Sequence, residues 1–153
     1  TSLWSSLADK YAVREYVKSK GLGDLLVPLY AKWDKSEDID FTSLPNSFVL
    51  KTNHGSGEIM IVKNKNQMDI EYVKRKFKDW LKDRYGYFQG EFHYLKIKPA
   101  IIAEQLLEEK NNLFSTSLVD YKVWCFNGKP YCIFTCHSRS QECIYVDVYD
   151  LQW

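Results

Sequence analysis

The sequence has almost no net charge: among 153 residues, 21 Lys and Arg stand against 20 Asp and Glu, for a formal net charge of +1. This balance leaves no global field to steer nucleic acid, so no nucleic-acid partner is expected and any phosphate recognition has to be local. Apolar runs are short as well, with none approaching the roughly 18 residues a spanning helix needs. The N-terminal residues lack the basic, apolar and small-residue succession of a secretory signal. The expectations are no membrane span and a cytoplasmic location. Cysteine is scarce and confined to one end, at Cys125, Cys132, Cys136 and Cys143. Their spacings match no common zinc pattern, so no metal site is expected of them. Three fall in predicted strands, where the simplest reading is small buried hydrophobes, with a metal or disulfide role as the alternative. His137 beside Cys136 does not shift that balance, and the missing secretory signal disfavours disulfides. Internal repeats and low-complexity segments are lacking, and so are the GxxxxGK[ST] and GxGxxG phosphate fingerprints.

What is present suffices for a folded domain. Hydrophobic residues make up 45% of the chain and aromatic ones 16%, so burial can offset chain entropy and intrinsic disorder is excluded as a class. Most of these aromatics are expected in the core. Tyr85, Tyr87, Phe88 and Trp124 are the ones with a competing role, stacking on a sugar.

The stretch FVLKTNHGSGEIMIV, residues 48 to 62, carries the most chemistry. Two β-prone apolar runs flank a polar loop, the pattern of an antiparallel hairpin with an exposed connection over 52–58. Gly55 and Gly57 allow close backbone approach, so successive N–H groups can converge on an anion. Lys51 adds a positive charge at the loop's edge, and Thr52, Asn53, His54 and Ser56 add hydrogen-bonding side chains. The competing reading is an ordinary Gly-Ser-Gly hairpin turn.

The rest of the chain reads as an α+β pattern with a largely antiparallel sheet. Helical spacing covers residues 8–21, with Gly21 as its stop, and residues 69–85, where Ile70, Val73, Phe77, Trp80 and Leu81 form one apolar face. The opposite face of the second helix mixes Lys and Arg with Glu71, Asp79 and Asp83, which marks a solvated surface. Leu25 to Trp33, interrupted by Pro28, predicts an extended segment. Ile101 to Ala103 predicts a strand, 108–117 a polar turn-rich connection, and His93 a half-buried strand histidine. Tyr121 to Phe126 and Tyr131 to Cys136 predict a hairpin around Asn127-Gly128. Cys143 to Tyr149 alternates as one more strand.

Taken together, KYAVREYV at 10–17, PLYAKWD at 28–34, DIDFTSLPNSFVLKTNHGSG at 38–57, IIAEQLL at 101–107 and DYKVWCFNGKP at 120–130 closely resemble the TupA-like ATP-grasp family. The resemblance runs nearly from end to end. It implies an ATP-grasp-like α+β fold with flanking helices, in which two small lobes hold ATP. Residues 1–40 would be an N-terminal helical and extended segment, 41–103 a lid-like lobe carrying the glycine loop, and 104–153 the start of the second lobe. It also implies an enzyme of bacterial cell-surface polysaccharide or teichuronopeptide biosynthesis that makes an acyl-phosphate on a carboxylate, whose acyl group an amine or similar nucleophile then captures as phosphate leaves, with a polysaccharide or peptide precursor as substrate.

Residue by residue, Lys51 matches the family's lysine for the α- and β-phosphates. Gly55, Ser56 and Gly57 match the flexible flap above them, with His54 as a further donor. Glu104 matches the acidic hinge residue at the adenine, and Leu106 and Leu107 would line the base pocket. Asp120 would accept from the ribose hydroxyls; its alternative role is a hairpin-entry residue bonded to its own backbone. Lys122 and Arg139 are candidates for the γ-phosphate or a substrate carboxylate, or simply exposed strand charges. The family's Mg²⁺ ligands would lie beyond Trp153, and Glu142, Asp147 and Asp150 are too scattered to replace them. On that reading the chain is the front half of a longer enzyme. A nucleotide-sugar glycosyltransferase and a catalytically silent nucleotide-binding module are the alternatives.

Overall fold

The computed structural model describes residues 2–108, 115, 117–140 and 142–153. The polar connection expected over 108–117 therefore lies mostly outside the described residues. Contacts divide the chain into two compact units, one running to Leu106 and the other from Leu107 to Trp153.

In the first unit, helices α1 (Ser2–Ala8) and α2 (Val13–Ser19) precede strand β1 (Leu29–Trp33) and the hairpin of β2 (Phe48–Thr52) and β3 (Ile59–Val62). Helices α3 (Ile70–Trp80) and α4 (Tyr85–Phe88) then lead to β4 (Ile101–Glu104). The strands form one antiparallel sheet in the order β1-β4-β2-β3. Period-two alternation sorts β2 into two faces: Phe48, Leu50 and Thr52 are buried, while Val49 and Lys51 are half-buried. Phe48 and Leu50 join Ile101 and Ala103 of β4 in a core closed by Val73 and Phe77 of α3. Phe77 meets Trp80 edge to face at 4.9 Å. The opposite face carries Lys51 across from Ile102 and Val49 across from Glu104.

The strands and the apolar face of α3 fall where the sequence pattern puts them; the helix boundaries differ. The helix expected over 8–21 is confined to α2, and a separate helix, α1, ends at Ala8, because the Asp9 carboxylate accepts from the N–H groups of Tyr11 at 2.8 Å and Ala12 at 3.2 Å and so turns the chain. Gly21 does act as the stop, with φ of 74°. Helix α3 starts where Asp69 caps the Tyr72 N–H at 2.9 Å. It ends at Trp80 rather than near 85, because Lys82 and Asp83 tighten onto the carbonyls of Asp79 and Trp80. His93 is half-buried but sits in a 3₁₀ turn, Phe92–Lys96, not in a strand. Residues 2–40 are built into this unit: β1 is hydrogen-bonded along β4, and α2 reaches the same sheet through Arg14, which contacts Glu104 at 3.2 Å.

The second unit is a three-stranded antiparallel sheet, β5 (Asp120–Phe126), β6 (Lys129–His137) and β7 (Tyr145–Tyr149). Asn127 and Gly128 turn the first hairpin with φ of 50° and 74°, the left-handed pair that matches strand twist. The whole is α+β with two antiparallel sheets. Two expectations about burial fail here. Of the cysteines only Cys136 is buried, Cys125 and Cys143 being exposed and none disulfide-bonded. Tyr87, Phe88 and Trp124 are exposed rather than core, as are Tyr121, Phe126, Tyr131 and Tyr145. A single sheet three strands wide cannot enclose the rings of its own unit; Tyr87 and Phe88 belong instead to the short helix α4 of the first unit.

Candidate functional site

The loop between β2 and β3 is less exposed than its polar composition suggests. Thr52, Asn53, His54 and Gly55 are all buried, and only Ser56 and Gly57 are open to solvent. The reason is Asn53. Its amide donates to Asp9 Oδ1 at 3.0 Å and to the Lys98 carbonyl at 3.1 Å, and its side-chain oxygen accepts the Ala100 N–H at 2.7 Å. The Asn53 backbone is held at both ends too, by the Ala100 carbonyl at 3.0 Å and the Lys10 N–H at 3.1 Å. Every polar group of a buried asparagine is thereby matched, so the loop leaves the sheet at a fixed angle.

Two lysines converge on this loop. Lys51 stands at the end of β2, and the half-buried Lys10, from the turn between α1 and α2, donates its ammonium to the Gly55 carbonyl. Burial, and then the neighbouring Lys51 charge, hold the Lys10 ammonium below its ordinary range. Sequence reading missed Lys10: its loop contact lies 45 residues away, and its position inside a helical pattern reads as surface.

Carboxylates answer these cations. Glu104, buried at the end of β4, gives Oε2 to Lys51 Nζ at 2.5 Å and Oε1 to Arg14 Nη1 at 3.2 Å. Both of its carboxylate oxygens are thus held in ion pairs. Glu58, within 3.5 Å of Thr52 Oγ1, is pushed up from the usual carboxylate range, first by burial and then by the Asp83 carboxylate. His54 is held below the ordinary imidazole range by burial, opposed in part by a hydrogen bond to the Asp83 main chain. Its Nδ1 is buried without a hydrogen-bond partner among the described residues. Beyond His54, Asp83, Arg84, Tyr85, Gly86 and Tyr94 line a cavity of about 180 Å³. That is below the size usual for a small-molecule site.

Gly55 sits where a Cβ would lie 2.7 Å from Glu58 Oε2 and 3.3 Å from Tyr85 Cβ. Gly57 has φ of 103°, in the glycine-favoured region. Of the three residues expected to form a flap, Gly55 is buried and Ser56 and Gly57 are exposed. Ser56 itself lies within hydrogen-bond reach of the Tyr85 hydroxyl.

The remaining candidates divide between the units. Leu106 is half-buried at the end of the first, and Leu107 opens the second as an exposed residue. Within the second, three candidates come together: the Asp120 carboxylate accepts from Lys122 Nζ at 3.0 Å and Arg139 Nη2 at 2.6 Å. Asp120 and Lys122 lie two residues apart on β5, and Arg139 is brought in by the strand register, since Asp120 stands opposite Cys136.

A family model, TupA-like ATPgrasp, matches residues 3–153. The chain belongs to the TupA-like ATP-grasp family. Comparison of this TupA-like ATP-grasp chain with curated proteins and with solved structures gives no match. Among the described residues no helix is long and apolar enough to cross a membrane. Among the described residues no group of three or more His, Cys, Asp and Glu side chains could hold a metal ion.

Proposed function

We propose that the first unit holds the phosphates of ATP between Lys51, Lys10 and the backbone of the 54–57 loop. The observation that carries the reading is the convergence of two lysines on one glycine loop within a chain of an ATP-grasp family. Two ammonium groups this close repel each other, and a polyphosphate relieves that repulsion. The buried first half of the loop supplies a rigid floor, and Ser56 and Gly57 supply the part that can fold over a ligand. ATP provides the activated phosphoryl group; the chain's own contribution is to orient it and to neutralise its charge. In the second unit, taken by itself, Lys122 and Arg139 are proposed to meet a phosphate or a carboxylate, with Asp120 as their resident acceptor.

The reaction that fits is an ATP-dependent joining of a carboxylate to an amine on a cell-surface polysaccharide or peptide precursor. Titration with ATP and with UDP-sugars tests the nucleotide class: tighter binding of ATP supports the reading, and equal or tighter binding of the sugar nucleotide favours glycosyl transfer. Phosphate release that requires both an added carboxylate and an added amine supports ligation. Nucleotide binding without such release under any donor and acceptor pair identifies a silent binding module.

A further inference from the structure

Lys51 is not the only cation on Glu104. Arg14 is buried and fixed at both of its terminal nitrogens, Nη1 on Glu104 at 3.2 Å and Nη2 on the Val27 carbonyl at 2.6 Å. Lys51 touches the same carboxylate through the other oxygen and keeps about a quarter of its side chain exposed. One carboxylate therefore carries a locked counter-ion on its buried side and a movable one on its open side.

The difference matters for what Lys51 can do. A buried carboxylate stripped of its last cation is strongly unfavourable, so a lysine that is its sole partner is held in place. With Arg14 staying behind, Glu104 keeps a charge-assisted hydrogen bond when Lys51 leaves. We propose that Arg14 is a positioning residue for the phosphate-holding lysine: it remains on Glu104 as the resident counter-ion, so that Lys51 can be exchanged from Glu104 to a phosphate oxygen. This inference rests on the phosphate role of Lys51 proposed above and adds a residue of α2 that touches no ligand.

The test uses inorganic tripolyphosphate, which has no adenine for Glu104 to meet, with the 153-residue chain. In Arg14→Met, Lys51 is left as the only cation ion-paired to Glu104 among the described residues, and tripolyphosphate affinity is expected to fall about ten-fold or more. Adding Glu104→Gln in that background removes the carboxylate that traps Lys51, and affinity is expected to return to within roughly three-fold of wild type. A purely structural Arg14 gives no such return, since the helix remains untethered in the double variant. Unchanged affinity in Arg14→Met, or a loss that Glu104→Gln does not reverse, overturns the proposal. If Arg14→Met does not fold, Glu104→Gln alone decides: tighter tripolyphosphate binding supports exchange, and weaker or equal binding contradicts it. Wild-type binding that ignores Lys51→Ala brings down the phosphate reading itself, which is a different result from failure of the Arg14 rescue.

Discussion

The Glu104 carboxylate meets the Lys51 ammonium at 2.5 Å across two neighbouring strands. Glu104 stands opposite Val49, and Lys51 opposite Ile102, so the pair is a diagonal contact on one face of the sheet. That geometry puts the end of β4 diagonally beside the lysine at the mouth of the loop. Whatever draws Lys51 outward acts on Glu104, and through Glu104 on Arg14 of α2.

Asn53 is the residue whose loss should loosen this arrangement most. Asn53→Ala deletes three side-chain hydrogen bonds and leaves the Ala100 N–H buried without its acceptor. An unfolding free energy lower by about 3 kcal/mol is expected, read from urea denaturation. A change below about 1 kcal/mol would mean that the loop is held by something else.

Gly86→Ala tests the packing beside the loop. A Cβ there lies 2.5 Å from the Glu91 carbonyl oxygen and 2.9 Å from Tyr94 Cβ, and the first is backbone that cannot swing aside. Overpacking of this kind is expected to cost about 3 kcal/mol, seen as a lower thermal midpoint. Gly55→Ala should be milder, because its closest neighbour is the far end of a flexible glutamate.

His54 makes stability depend on pH. Its folded-state pKa lies below the ordinary 6.5, so the unfolded chain binds the proton first as pH falls. Stability attached to His54 is therefore complete above 6.5 and is lost as pH drops through 6.5 towards the folded value. Glu58, raised by burial, acts with the opposite sign at lower pH, becoming less favourable as pH rises above 4.5. The clean readout is the difference between wild type and His54→Gln, expected to shrink on acidification by at most about 1.4 kcal/mol per pH unit. Parallel curves for the two proteins would refute the burial of an uncharged imidazole.

The strands were legible because period-two alternation and the Asn127-Gly128 turn are local signals, and α3 because its apolar face repeats cleanly. What was not legible depends on partners far along the chain. The break at residues 9–12 belongs to Asp9, whose carboxylate also serves Asn53. Asn53, His54 and Gly55 look like exposed loop residues in sequence, and it is partners far along the chain, at 9, 10, 83, 98 and 100, that hold them in. Lys51, Gly55 and Glu104 could be picked out as site candidates from their own neighbourhoods. Lys10 and Arg14 could not, since each is defined by a contact 45 or 90 residues away. Aromatic abundance misled for a related reason: composition counts rings but does not say that the second sheet is three strands wide.

The most direct measurement is the dissociation constant for ATP, taken by titration calorimetry on the wild-type chain and on Lys51→Ala. Removing a charge-assisted phosphate contact is expected to weaken binding by about ten-fold or more while leaving the thermal midpoint close to wild type. ATP affinity that survives Lys51→Ala unchanged would contradict the placement of the phosphates at this loop.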